Sequence, residues 1–234
     1  MEALYILKIP DELDNRIYQL LLSNVSKLKR EQINRFHRIE DGYRTLFAEL
    51  LIRSIILKSF NIKNTDIKFQ KNMYGKPFLD GFPDFSFNVS HSGEWVACIV
   101  DRCPVGVDVE IIKPLEYGNV KSVFSKSERE DLLKKDSSNW LDAFYDLWTL
   151  KESYVKALGK GLNVPLNTIT VKKYSDDDIE LFENGKSQPY FFKQYNIDEG
   201  YKLSVCSSNY KFPIKPKVVN YEFLIYDILH YVAD

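Results

Sequence analysis

Apolar residues recur along this chain in two alternating rhythms. The opening ALYILKI is a short run of β-formers that stops at Pro10. From about Ser26 to Phe60 the spacing becomes helical, with a break near Asp41-Gly42, which predicts two helices. Short β-type runs follow: DIKFQ, FSFNVS, WVACIV and VGVDVE, separated by the turn clusters NMYGKP, HSGE and DRCP. They read as an antiparallel meander. Beyond Pro114 the order repeats in kind, with helical text (SEREDLLKK, then DAFYDLWTLKESYVKAL) and then NTITVKK, IELFE, PYFFKQY and YKLSVCS.

If VGVDVE opens a second half as ALYILKI opens the first, the pattern predicts an α+β fold of two pseudosymmetric halves. Each half is a strand, helices and an antiparallel meander. The boundary is placed between residues 1–104 and 105–234, the second half including a C-terminal extension. No stretch rich in Gly, Ser or Pro separates them, so the halves should share an extensive interface, and a ligand cleft is expected between them. Ser127 with Glu130 is expected to form a capping box, and Gly159 a left-handed helix stop.

One helical stripe carries a contradiction. Phe144, Leu147, Trp148, Tyr154, Val155 and Leu158 fall on one arc, yet Lys151 falls at its centre and Glu152 and Lys156 at its margin. A core-facing stripe needs a reason to carry charge. Lys151 has two candidate roles, reaching a ligand or neutralising a carboxylate cluster.

Composition narrows the partners. The 234 residues are 44% hydrophobic, enough for a sizeable core, and 32 basic against 33 acidic residues leave a net charge of -1. The chain has no bulk field for nucleic acid or anionic membrane, and neither is expected as a partner. Cys98, Cys103 and Cys206 form no C-x-x-C pair and no zinc spacing, which favours a reducing, cytoplasmic setting. The N-terminus lacks a signal-peptide pattern, and the most apolar stretch, LFAELLIRSIIL, is interrupted by Glu49 and Arg53.

In VGVDVE, period-two alternation puts Val105, Val107 and Val109 on one face and Asp108 with Glu110 on the other, the two acids roughly 7 Å apart. Glu152 is a candidate third carboxylate. Three such groups without Cys or His make a hard-oxygen site, suited to Mg²⁺ or Mn²⁺ and hence to phosphate chemistry. Ser90 and His91 end the FSFNVS strand; the G-x-S-x-G elbow is absent, and His91 is read as a hydrogen-bond donor to a phosphate rather than a nucleophile's base. The stretch from 27 to 44 holds Lys27, Lys29, Arg30, Arg35, Arg38 and Arg44, which suits either a solvated face or a small polyanion. Neither YGKPF at 74–78 nor GKG at 159–161 is a Walker loop.

The series YGKP, FNVSHSG, VGVDVE and LWTLKESYVKALGKGL resembles the Sfp-type 4'-phosphopantetheinyl transferases, from about Lys29 to about Ser207. The resemblance implies two pseudosymmetric halves with coenzyme A between them. It implies transfer of the phosphopantetheine arm to a serine of an apo acyl or peptidyl carrier protein, with release of adenosine 3',5'-bisphosphate. By motif, Asp108, Glu110 and Glu152 would hold Mg²⁺. Lys156 would meet the diphosphate, Lys29, Arg44 and His91 the 3'-phosphate, and Lys76, Pro77 and Ser90 would line the nucleotide pocket. Gln32 and Ile111-Ile112 depart from the family's pattern, so grip on the coenzyme is expected to move to Arg35, Arg38 or Lys113.

For the serine proton, Glu152 or a water on the metal is the candidate base. The stretch 120–130, with Lys121, Val123, Phe124 and Lys126, resembles the family's carrier-docking segment in placement. With its own interhalf cleft the chain is expected to act as a monomer. Two rival readings remain at this level: another nucleotide diphosphate as substrate, or a non-enzymatic module holding an acidic partner.

Overall fold

A computed structural model of the chain describes residues 2–115, 120–175 and 177–231. Strand β1 (Ala3–Lys8) precedes helices α1 (Asn15–Ser23), α2 (Lys27–Ile33) and α3 (Ile39–Phe60). The hairpins β2 (Phe69–Lys71) with β3 (Pro77–Leu79), and β4 (Ser86–Ser92) with β5 (Trp95–Asp101), follow. The second half runs β6 (Val105–Ile111), α4 (Val120–Val123), α5 (Lys126–Leu133) and α6 (Ser137–Leu158). A sheet of β7 (Ile169–Lys173), β8 (Ile179–Glu183) and β9 (Lys186–Ser187) comes next, then β10 (Phe191–Tyr195) and β11 (Tyr201–Ser207). Last are β12 (Lys217–Val219) and α7 (Tyr221–His230).

The halves repeat one another in pairing. β1 is antiparallel to β5, itself antiparallel to β4; β6 is antiparallel to β11, itself antiparallel to β10. Each half packs a 22-residue helix against its sheet, α3 ending at Asn61 (φ 51°) and α6 at Gly159 (φ 66°), both left-handed. The α+β architecture of two related halves is therefore present, and Gly159 is the stop its sequence position predicts. The expected single meander in each half is instead split, with β2–β3 and β7–β9 forming small sheets of their own.

Alternation decides the layers. Leu4, Ile6, Ala97 and Ile99 of the first sheet meet Val105, Val107, Val109 and Val205 of the second in one core. The opposite face of the first sheet (Leu7, Val96, Cys98) takes α3, and that of the second takes α6 through Leu150, Tyr154 and Val155. Gly106 lies where β6 touches α6: a Cβ there would stand 2.0 Å from the Ser153 carbonyl oxygen and 2.5 Å from the Ala157 nitrogen. Only glycine allows that approach. A Gly106→Ala variant is expected to lose about 1–3 kcal/mol, because backbone rather than a flexible side chain must yield. Urea unfolding measures this, and an unchanged midpoint would show that α6 shifts without cost.

Several local expectations are corrected. The first-half helices break at 34–38 rather than at Asp41-Gly42, and α1, capped by the Asp14 carboxylate, lies in text not read as helical. The capping box is Ser125 with Glu128, two residues before the predicted pair. Glu49 and Arg53, which interrupt the apolar run, satisfy each other one turn apart at 2.8 Å. The chain's last elements return to the first half: β12 pairs parallel with β1, Leu224 and Ile228 of α7 join the α3 core, and Tyr231 donates to the Leu57 carbonyl. Among the described residues, no helix is long and apolar enough to cross a membrane.

Candidate active site

The site forms where β4 of one half meets β6 of the other. β6 pairs with β11 along one edge, which leaves N–H groups along the other that must find acceptors. β4 supplies them with side chains. Asn88 Oδ1, Ser90 Oγ and Ser92 Oγ accept from the Val107, Val109 and Ile111 amides at 2.9, 3.4 and 3.2 Å. Residues two apart on a strand share a face, so N-x-S-x-S makes one polar ladder across the interface. That pattern was visible in FNVSHS, but nothing in the sequence says that a second strand's backbone faces it.

Two rungs of the ladder also fix carboxylates. Ser90 donates to Asp108 Oδ1 at 3.0 Å, and Ser92 donates to Glu110 Oε2 at 2.7 Å. From α6, the Lys156 ammonium lies 2.5 Å from Asp108 Oδ1 and 2.9 Å from Ser90 Oγ, and Trp148 lies beside Glu110 in the wall of the same cavity. Glu152 stands one turn before Lys156, and Ser90, Asp108, Glu110, Trp148, Glu152 and Lys156 line this one cavity of about 230 Å³. Asp108 is 2% exposed, and its Oδ2 has no hydrogen-bond partner.

Burial raises the pKa of all three acids. Burial is the largest cause for each; the Asp108 charge raises Glu110 and Glu152 further, and Lys156 opposes the rise in each. The acids share one cavity, but among the described residues no three His, Cys, Asp or Glu side chains form a closed metal-binding group. The donor chemistry nonetheless fits a hard divalent cation: carboxylate oxygens only, mutually repelling, with one buried oxygen unpartnered.

A larger cleft of about 690 Å³ shares Val89 and His91 with the small cavity and is walled by Lys29, Gln32, Thr45 and Pro77. Burial, followed by the charges of Lys156 and Arg44, holds the His91 pKa below its usual value. Lys29 is 3.6 Å from Glu49 on the same wall. The sequence pattern marks neither Thr45 nor Glu49 as a cleft residue, although it marks Arg44. The Arg44 guanidinium instead pairs with Asp41 and donates to the Gly93 carbonyl, beside the cleft and not among its lining residues.

Lys76 differs from expectation in its use. Its ammonium donates to the carbonyls of Val105, Lys156 and Ala157 at 3.0, 2.7 and 3.2 Å, so it caps the end of α6 instead of facing the cleft. Without a carboxylate beside it, burial lowers its pKa to about 8. Asn72 assists by donating to the Gly159 carbonyl. The YGKP loop therefore holds α6, while its Gly75 and Pro77 face the cleft.

Lys151 is not a site residue in either sense proposed for it. It is fully buried, lies 2.5 Å from Glu128, and donates to the carbonyls of Val123, Leu166 and Ile169. Glu128 in turn accepts from the Ser125 and Val171 amides, which explains why the capping box sits there. Phe124, expected on a docking surface, is fully buried against Phe144 with the Lys151 ammonium above its ring. Of the residues expected to take over grip on the coenzyme, Arg35 and Arg38 are exposed, and the Lys113 backbone is tied to Tyr145.

Residues 104–206 match the family described as the 4'-phosphopantetheinyl transferase superfamily, and residues 14–102 match 4'-phosphopantetheinyl transferase, N-terminal. The chain is 41% identical to 4'-phosphopantetheinyl transferase Sfp of Bacillus subtilis (strain 168) over 204 residues, 87% of this chain and 91% of that protein. It is 39% identical to 4'-phosphopantetheinyl transferase gsp of Aneurinibacillus migulanus over 207 residues, 88% of this chain and 86% of that protein. A solved holo-[acyl-carrier-protein] synthase from Thermotoga maritima overlays 44% of this chain and 61% of its own, at 17% identity and a TM-score of 0.36. Relatives at this identity over nearly the whole length place the chain in the 4'-phosphopantetheinyl transferase superfamily, as an enzyme of the Sfp type.

Proposed function

We propose that this enzyme moves the 4'-phosphopantetheine arm of coenzyme A onto a serine hydroxyl of an apo acyl or peptidyl carrier protein in the cytoplasm. Adenosine 3',5'-bisphosphate leaves. The observation that most supports this reading is the buried, unpartnered Oδ2 of Asp108 in a cavity with two further carboxylates and Lys156. Asp108, Glu110 and Glu152 would hold Mg²⁺, or Mn²⁺, which would supply positive charge to the diphosphate oxygens. The diphosphate belongs to the small cavity and the nucleotide to the larger cleft, because the two share His91 and because Lys29 and Pro77 wall the larger one.

In this reading the serine oxygen bonds to the β-phosphorus while the bond from that phosphorus to the oxygen of the nucleoside 5'-phosphate breaks. The released electron pair stays on that oxygen. Lys156, fixed by Asp108 and Ser90, offsets the charge building there; such displacements depend on positioning and neutralisation. Glu152 accepts the serine proton, a task its raised pKa suits, since a carboxylate nearer neutrality is the stronger base. Lys29 and His91 meet the 3'-phosphate with Arg44 beside them. Ser90 serves from below, and Lys76 acts through the loop it anchors.

Incubation with coenzyme A, Mg²⁺ and a panel of apo carrier proteins, followed by intact mass spectrometry, tests this. The expected result is one pantetheine-arm mass gain on one serine, absent in Asp108→Ala. Transfer at full rate by Asp108→Ala would overturn the assignment of the site, and ADP or NAD as the accepted donor would overturn the substrate.

A further inference from the structure

We propose that Ser92 is a positioning residue, holding Glu110 from the opposite half of the molecule so that the three carboxylates act as one divalent-cation site. The proposal rests on the reading of Asp108, Glu110 and Glu152 as cation ligands. A glutamate side chain has three rotatable bonds, and Glu110 lies one residue from the end of its strand, where the backbone alone restrains it least. Ser92 removes that freedom. Its oxygen accepts the Ile111 amide at 3.2 Å, which turns its own proton toward Glu110 Oε2 at 2.7 Å. The hydroxyl is thus oriented by backbone and not free to rotate.

The ladder itself supplies a control. Asn88 makes the same cross-half bond to the Val107 amide, and no hydrogen bond joins it to the acids. Ser90 serves both purposes but also touches Lys156, so changing it disturbs two things together. Ser92 is the rung that, among the charged groups of the site, touches Glu110 alone. Residues that orient ligands without touching the ion change metal affinity by about 10- to 100-fold when removed.

The test measures Mn²⁺ binding to the full chain by electron paramagnetic resonance of the free ion, with circular dichroism to verify the fold. Ser92→Ala is expected to weaken Mn²⁺ binding about 10-fold. Ser92→Thr, which keeps the hydroxyl, and Asn88→Ala are expected to stay near wild type. In transfer assays Ser92→Ala should need more Mn²⁺ for half-maximal rate while its KM for coenzyme A is unchanged. If Ser92→Ala weakens binding no more than Asn88→Ala does, the ladder is a structural stitch and the proposal is overturned. Glu110→Gln separates the two levels: binding retained in Ser92→Ala but weakened in Glu110→Gln sinks only the role of Ser92, whereas wild-type binding by Glu110→Gln sinks the cation reading beneath it. Should Ser92→Ala fail to fold, Ser92→Cys, similar in volume but a weak donor, takes its place with the same expected outcomes.

Discussion

A Lys156→Met variant is expected to keep its fold and lose transferase activity by about a hundredfold to a thousandfold, the scale for removing one preorganised charge from a site of developing charge. The aliphatic stem survives, so packing along α6 is retained. What disappears is the ammonium that lies 2.5 Å from Asp108 and 2.9 Å from Ser90. That loss acts twice. Transferring oxygens lose their cation, and Asp108, already pushed toward protonation by burial, loses the charge that most opposes the push. Steady-state kinetics with coenzyme A and an apo carrier measure the effect, with thermal melting to verify folding. A rate within tenfold of wild type would show that Lys156 serves the carboxylates and not the reaction.

Lys151→Met is expected to act oppositely, costing about 3–5 kcal/mol of stability, the usual penalty for removing one partner of a buried pair. Methionine nearly matches the length of the side chain but offers nothing to Glu128, which is 3% exposed, or to the three carbonyls of Val123, Leu166 and Ile169. Those carbonyls belong to α4, to the turn leading into β7 and to the first residue of β7, so one ammonium ties these segments to α6. In Lys151→Met/Glu128→Gln the stranded charge is gone, and part of the loss should return as a positive coupling energy. Urea unfolding of the four proteins gives the cycle. A single-variant loss below about 1 kcal/mol would mean that water or a shifted side chain replaces the lysine, as at exposed pairs. At temperatures where it is folded, Lys151→Met should transfer at near the wild-type rate, which distinguishes it from Lys156→Met.

The contrast between these two lysines shows how far the sequence could be read. Both stand out as charges on an apolar arc, and both were reasonable candidates for the ligand. They lie five residues apart, hence about 140° apart around the helix, so one faces the interhalf cavity and the other the packing of α4, α5 and β7. Periodicity gives that angle; it does not say which neighbour waits on each side. Lys76 teaches the same lesson across a separation of 80 residues, its ammonium spent on the backbone of Lys156.

By itself the sequence determined the directions. Alternation in VGVDVE separated a valine face from an acid face because successive side chains on a strand point oppositely, and the valines do fill the intersheet core. Element order alone announced two related halves, and a glycine after Leu158 announced the end of α6. Only the tertiary structure decided the partners: that β6 keeps an open edge, that Asn88, Ser90 and Ser92 close it, and that β12 and α7 return to the first half. The physical reason is that local periodicity depends on bonds within a few residues, whereas each polar partner here is chosen by packing between segments far apart in the chain. There, a buried donor or acceptor must take whatever group the assembled halves bring within reach.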